Sequence, residues 1–509
     1  GLEVSGNMGR LSKSKLTGKV QCKDVTFGYY KLPYTIDHLT GQIDFTKDSV
    51  NLNNLCGKHR DVNFFFNGWA GDFGPDRKYQ IRITSDNMPL DADLYEALNE
   101  KQKKFWAAFS PNGNVAVNLQ LIRQAKTDKQ TKLELELLGT EAVYRHFPYQ
   151  LQNLTGKLFF SSNNIIFSNV ISQIDDRKIA LNGSIETSET DRPATYDFII
   201  KVNDIPFDTN LQAALTDKQK NLYKQLSPVG LTDGWIKISR QDSGPAGFTA
   251  DLSFKKTSLK LDQFPLPVSD ITAKAIFTPY LIVIKEFSGI YCNESVSLSG
   301  HVQLDQEYRQ SNYQLVLKLK QTLLSDDLFD LMPEALRKIV TELKPEGRVN
   351  LTADLDKESF TKPPDYGITL ECLGNNVTIP KFPYPLKDIT GIMTVKDNSI
   401  KLKDITATTD SNVPIDANSP TIKLNGEIIL TNDTYNSIIL KLSAKDLIFD
   451  DQFALVLPQH ALPLYGRLSP DGHFDLDFDK IRLFRTDNGR KSIEFNGTVN
   501  FVNSSINVS

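Results

Sequence analysis

Apolar and polar residues alternate with a period of two along much of the chain. Leu133-Glu134-Leu135-Glu136-Leu137 and Phe474-Asp475-Leu476-Asp477-Phe478 are clear instances. That period sends apolar side chains to one strand face and polar ones to the other. Tyr313 to Leu319, Arg348 to Leu355 and Tyr366 to Cys372 show related runs, joined by hairpin-length gaps. The period changes in four places. Phe105, Trp106 and Phe109; Leu222, Tyr223 and Leu226; Ile339, Val340 and Leu343; and Leu464, Tyr465 and Leu468 each form the stripe of a short helix. Asp91, Asp208, Ser325 and Asp450 precede these stripes, where an N-cap side chain satisfies free backbone N–H groups. Second helix starts follow at Asn99, Thr216, Pro333 and Pro458. The pattern predicts strands interrupted by helical hairpins.

These elements recur in register. Leu32-Pro33-Tyr34 leads to Leu39-Thr40-Gly41. Phe147-Pro148-Tyr149, Phe264-Pro265-Leu266 and Phe382-Pro383-Tyr384 lead to similar triplets. A second phrase, Phe109-Ser110-Pro111-Asn112-Gly113, returns around Pro228, Pro345 and Pro470. Tyr79, Tyr196 and Tyr313 keep step, with Tyr435 slightly displaced. The spacing defines four repeats of about 115–125 residues, spanning 32–146, 147–263, 264–381 and 382–509. Residues 1–31 are expected to be the leading strands of a preceding repeat, and Glu494 to Gly497 to begin a following one. Each repeat is expected to hold about six strands. Phe66-Asn67-Gly68, Leu181-Asn182-Gly183, Leu298-Ser299-Gly300 and Leu424-Asn425-Gly426 are expected to close strands with turn chemistry.

A repeat with one apolar sheet face cannot bury that face alone. About 24 strands are too many for a flat open sheet, which must curl. The expected fold is therefore mainly β with small helical inserts, an elongated array of antiparallel β-repeats curled into a hydrophobic groove. With strands lying across it, such a trough spans about 115 Å, against ~40 Å for a bilayer. The same pattern is also met by a closed, dry core between two sheets.

Composition narrows the chemistry. The 509 residues carry 58 Lys+Arg against 62 Asp+Glu, a net of -4, which argues against nucleic acid as a partner. At 40% apolar content the chain can bury a large core. No apolar run suits a transmembrane helix. Cys22, Cys56, Cys292 and Cys372 lie far apart and imply neither zinc nor a disulfide framework. The start at Gly1-Leu2, without Met or signal pattern, suggests a piece whose anchor lies outside it. Nucleophile elbows, dinucleotide fingerprints, Walker A and HExxH motifs are missing, so no catalytic residue and no cofactor are expected. His38, His59, His146, His301, His460 and His473 show no ligand spacing, and no metal site is expected. Asp475, Asp477 and Asp479 alternate on one strand face without a calcium loop's glycine or closing glutamate, and are expected to be solvated. Asn-x-Ser/Thr triplets at Asn153, Asn182 and Asn496 coincide with the repeat's own punctuation and are read as structural.

The Pro-Tyr-x-Leu-x-x-Leu-Thr-Gly-x-Ile-x-Phe phrase, the Asn-Gly phrase and the Leu-Ser-Pro-x-Gly phrase resemble the AsmA-like proteins of Gram-negative envelopes, a group that includes TamB-like proteins. The resemblance covers nearly the whole chain and rests on structural punctuation. It implies a β-groove that conducts lipid acyl chains between membranes while headgroups stay wet. It further implies a non-enzymatic role in outer-membrane biogenesis, periplasmic and bridging the inner and outer membranes. The partners it implies are phospholipid or another acyl lipid, membranes contacted through segments outside this chain, and other envelope proteins. Groove-lining residues would be Ile81, Ile83, Phe198, Ile200, Leu315, Leu317, Leu319, Ile438, Leu440 and Leu442. Ile199 and Ile439 interrupt the alternation and leave the inward face open there. The rival is an elongated structural or assembly protein with a closed core. The helical hairpins would be structural cover or a lid, with a Lys- and Gln-rich side (Lys101, Lys103, Lys104; Lys218, Gln219, Lys220) turned to solvent.

Overall fold

The computed structural model describes residues 2–5, 15–29, 32–74, 76–124, 129–187, 193–241, 244–260, 268–291, 293–307, 311–330, 332, 337, 340–341, 343–378, 386–409, 420–431, 434–449, 453–454, 457, 462–485 and 491–507. Pro265, Phe382, Pro383, Pro333, Ile339, Asp450, Pro458, His460 and Cys292 lie outside them.

The fold is mainly β, as the alternation predicts: antiparallel strands in an open sheet, curled into a groove array with few helices. Two leading strands, β1 (Leu2–Ser5) and β2 (Lys15–Tyr29), precede the first repeat. That repeat contributes β3 (Leu32–Thr46), β4 (Ser49–His59), β5 (Val62–Gly71), β6 (Lys78–Pro89), β7 (Asn114–Arg123) and β8 (Gln130–Tyr144). The second contributes β9 (Phe147–Phe160), β10 (Asn164–Ile174), β11 (Arg177–Glu186), β12 (Thr195–Pro206), β13 (Val229–Arg240) and β14 (Gly247–Leu259). The third holds β15 (Val268–Phe277), β16 (Leu281–Tyr291), β17 (Glu294–Leu304), β18 (Ser311–Leu323), β19 (Arg348–Lys357) and β20 (Asp365–Val377). The fourth holds β21 (Leu386–Lys396), β22 (Ser399–Thr408), β23 (Thr421–Thr431), β24 (Thr434–Ile448), β25 (Pro470–Arg485) and β26 (Lys491–Ile506).

The chain packs as two compact units, residues 1–265 with 274–281 and residues 266–273 with 282–509. A repeat is therefore a unit of sequence but not of packing. In the first unit β1 to β14 pair in chain order as an antiparallel meander. In the second, β17 to β26 do the same. Each unit has its own apolar core on one sheet face, around Leu55, Phe64, Val115, Leu137 and Phe167 in the first and Val296, Val349, Leu351, Leu370 and Ile400 in the second.

Bulges crease these sheets. The register of β10 against β11 slips between Phe167 and Val170, where Asn169 takes φ 48. Asn54, Asp204, Gln321, Asp404 and Asp446 are also left-handed at register slips in their strands. A bulge bends its strand and sharpens local twist, so a bulge in strand after strand curls the sheet. The Asn-Gly phrase belongs to this device and does not close strands. Asn67-Gly68, Asn182-Gly183, Ser299-Gly300 and Asn425-Gly426 all lie inside strands. The asparagine accepts a hydrogen bond from the bulged residue next door: Asn54 N–H to Asn67 Oδ1 at 2.9 Å, and Asp404 N–H to Asn425 Oδ1 at 2.7 Å. Asp475 does the same for Asp446 at 2.9 Å, so it is engaged rather than merely solvated.

The helical inserts start as predicted. The first holds α1 (Ala92–Ala97) and α2 (Glu100–Phe109), and the second α3 (Thr209–Ala214) and α4 (Asp217–Leu226). Asp91 and Asp208 cap the first helix of each, while Asn99 and Thr216 form capping boxes on the second. Later inserts include α5 (Asp326–Asp330) and α6 (Leu462–Leu468). Ser110, Ser227, Lys344 and Ser469, each just before the recurring proline, turn left-handed and bond back to Trp106, Tyr223, Val340 and Tyr465 carbonyls. The Pro-x-Gly phrase thus ends a helix, as its position predicts.

Candidate functional site

Directly opposed residues in an antiparallel pair share a face, so the registers trace rows of side chains running across the strands. In the second unit one row is Leu298, Leu317, Ala353, Ile368, Val395, Ile400, Ile428, Ile438, Leu483 and Ile493. It crosses ten strands without a polar residue. Beside it runs Val296, Leu319, Leu351, Leu370, Met393, Leu402, Gly426, Leu440, Ile481 and Phe495. At about 4.8 Å per strand, each row is about 43 Å long. In the first unit Leu55, Phe66, Ile83, Leu119, Leu133, Phe160, Ile165 and Ile185 make a row that ends at Tyr196.

These rows place the residues expected to line a groove. Leu317 and Ile438 fall in one row, and Leu319 and Leu440 in its neighbour. Leu315 faces Gly300 and Leu355, and Leu442 faces Leu424 and Phe478. Ile81 pairs with Leu121, one residue pair from Ile83 and Leu119. Phe198 lies opposite Gly183 and Ile238, and Ile200 opposite Leu181 and Ile236. Nine of the ten are half-buried, and Leu319 is buried. Ile199 and Ile439 point to the other face. They are 46% and 38% exposed, between Asn182 and Lys237 and between Glu427 and Arg482.

The inserts bear on the same face. Phe105 of α2 meets Phe160 edge-on at 5.5 Å, and Phe109 lies 6.1 Å from Phe167. Lys101 Nζ reaches Thr187 Oγ1 at 3.2 Å, just past the end of β11. Although inserted between β6 and β7, α1 packs on β3, and α3 packs on β9 in the same way. The first insert therefore crosses the apolar rows instead of resting on a sheet edge.

The recurring Pro-Tyr phrase holds the insert's base. Tyr34 is buried, stacks on His59 at 3.8 Å, and its hydroxyl has no hydrogen-bond partner. His59 Nδ1–H donates to the Thr35 carbonyl at 2.7 Å, and its Nε2 is 3.5 Å from Asp93. Arg60 pairs with Asp93 and stands 3.5 Å from Asp91, the helix cap. Burial, with Asp91 and Asp93, pushes the Tyr34 hydroxyl up to about 12 against the opposing pull of Arg60. Tyr149 repeats the arrangement: burial and Asp208 raise its hydroxyl, and Arg177 opposes them.

Among the described residues no group of three His, Cys, Asp or Glu side chains is placed to hold a metal ion. No helix among them is long and apolar enough to cross a membrane. Cys22, Cys56 and Cys372 are free thiols. The chain matches no protein-family profile, and no curated protein matches it in sequence.

Proposed function

We propose that this protein is a non-enzymatic lipid conduit that carries acyl chains along its apolar sheet face between membranes of a bacterial envelope. The supporting observation is the ten-strand row from Leu298 to Ile493, which no polar side chain interrupts. Moving an acyl chain through water costs about 0.8 kcal/mol for each exposed CH₂, and an unbroken apolar row removes that cost at every step. A surface does this work, so no catalytic constellation is required. The cargo is a phospholipid or another acyl lipid, and the setting is the periplasm between inner and outer membranes. Membrane contact falls to segments outside this chain.

The second reading, an elongated structural or assembly protein with a dry interior, draws on the contact of Phe105 with Phe160, which seats a helix on the apolar rows. Native mass spectrometry of the purified chain, with extraction and identification of bound lipid, separates the two. Several exchangeable phospholipids per chain are expected. A folded chain that remains lipid-free in the presence of excess phospholipid would overturn the conduit.

A further inference from the structure

In the first three repeats the recurring tyrosine marks the end of the apolar rows, and a cation stands opposite it. Tyr79 faces Arg123, Tyr196 faces Arg240, and Tyr313 faces Lys357. All six side chains share the apolar face. Tyr79 lies two residues before Ile81, Arg123 two after Leu121, and Lys357 two after Leu355. Each pair sits at the strand ends opposite to those that its own repeat's insert joins, because an insert leaves the far end of β6 and returns at the start of β7. Within a repeat the insert thus departs from one end of the strands and the tyrosine and cation stand at the other, while the first insert reaches across the apolar face as far as Thr187, beside the strand end that carries Tyr196.

These cations differ from those of the polar face. There Lys157 pairs with Glu134 at 2.7 Å, Lys237 with Asp197 at 3.4 Å and Lys441 with Asp479 at 3.3 Å. Among the described residues Arg123, Arg240 and Lys357 have no carboxylate partner. All three are half-buried, and Arg123 Nε is fully buried without a hydrogen-bond acceptor. Arg240 is held by the Ala194 carbonyl, which takes its Nε–H at 2.8 Å, and lies over the Tyr196 ring at 5.1 Å. That leaves part of its guanidinium fork available. A positive charge held at an apolar boundary without a counter-charge is costly, and an anion that arrives with an apolar body removes the cost.

We infer that the Tyr79–Arg123, Tyr196–Arg240 and Tyr313–Lys357 pairs are stations for the phosphate of an anionic lipid headgroup. The inference rests on the conduit proposal and gives that conduit its headgroup chemistry. Arg or Lys supplies charge to the phosphate oxygens, the tyrosine hydroxyl donates a further hydrogen bond, and the acyl chains lie on the adjoining rows. Within the first unit the two stations are six strands apart, about 29 Å along the sheet.

The test compares short-chain phosphatidylglycerol with diacylglycerol bearing the same acyl chains, each titrated into the full chain. The wild type is expected to prefer phosphatidylglycerol by about tenfold. In the triple variant R123Q/R240Q/K357Q that ratio falls to about one, and R123K/R240K/K357R restores it. Equal affinity of the wild type for both lipids overturns the stations and leaves the groove standing. This arm needs no variant to fold. A folded triple variant that keeps the preference overturns them as well. Binding of neither lipid overturns the conduit, and the stations with it. Inorganic phosphate equimolar with the lipid is expected to leave the preference intact. If it abolishes the preference, the pairs are sites for free anions and the headgroup assignment fails.

Discussion

The side chain of Asn182 accepts a hydrogen bond from the backbone N–H of Asn169 on the neighbouring strand, at 2.8 Å. Asn169 is the left-handed residue of a bulge, and its amide points away from the regular ladder. Asp204 with Asp233 and Gln321 with Asn350 form the same link, at 2.7 and 2.9 Å. One polar side chain per bulge keeps a bent strand hydrogen-bonded, and the bends give the apolar face its concavity. Asn182→Ala should therefore lower stability by about 1 kcal/mol, while Asn182→Asp, the solution at Asp233, should be nearly neutral. Urea denaturation of both variants checks this; equal losses would mean that the side-chain acceptor is irrelevant.

Gly300 follows Ser299 at the equivalent place and takes φ 132. A Cβ there would collide with the Gln314 carbonyl oxygen on the next strand. Gly300→Ala should cost more than Asn182→Ala, about 2 kcal/mol or more, because both backbone conformation and strand spacing resist it. The shift in urea midpoint reads the difference directly.

Tyr34 should give the protein an alkaline limit. Its hydroxyl is raised in the folded state from 10.0 to about 12, so between those values the folded chain keeps a proton that the unfolded chain has lost. Stability falls as pH rises through that window, by about 1.4 kcal/mol per pH unit at most, and is unaffected by this group below pH ~9. Asp93→Asn removes a carboxylate that raises the hydroxyl, so it should bring tyrosinate absorbance in at lower pH. An unchanged titration midpoint would show that Asp93 has no hold on Tyr34.

A charge in the long row tests the conduit. Leu317 stands between Leu298 and Ala353, half-buried. Leu317→Asp should keep the far-ultraviolet spectrum of the sheet and sharply reduce lipid occupancy. Full occupancy in the folded variant would remove the row from the transport path.

Phe105→Ala takes away the ring that rests on Phe160 and, at 4.8 Å, on Phe109. A loss of about 3 kcal/mol is expected from the cavity, less if the helix settles. If the insert covers the rows, the variant should also bind more of an apolar dye than the wild type. A destabilised chain with unchanged dye binding would make the insert a structural brace only.

Much of this fold was legible in the alternation and the spacing. The six-strand plan and the helix caps at Asp91, Asn99, Asp208 and Thr216 follow from local rules that tertiary contacts do not override. The role of Asn-Gly was not legible, because that dipeptide serves equally in a hairpin turn and inside a bulged strand. Only the register of β10 against β11 shows that Asn182 reaches sideways to Asn169. Arg123, Arg240 and Lys357 step through the sequence in time with Tyr79, Tyr196 and Tyr313, so their signal was present. It gained meaning when pairing set each cation opposite its tyrosine. The reach of α2 across the apolar rows could not be read at all, since Phe105 and Phe160 meet only after the sheet has curled.

Six strands per repeat is an even number, and parity has a consequence. A chain that crosses an antiparallel sheet an even number of times leaves it heading as it entered. Successive duplications of the unit therefore root the helical inserts at one bank of strand ends and set Tyr–cation pairs at the opposite bank, never alternating between them. A five-strand unit would switch banks at each copy and scramble both. Lengthening by duplication is thus free of topological penalty: a longer or shorter relative built from this unit would keep the same lateral polarity, whatever distance it had to span.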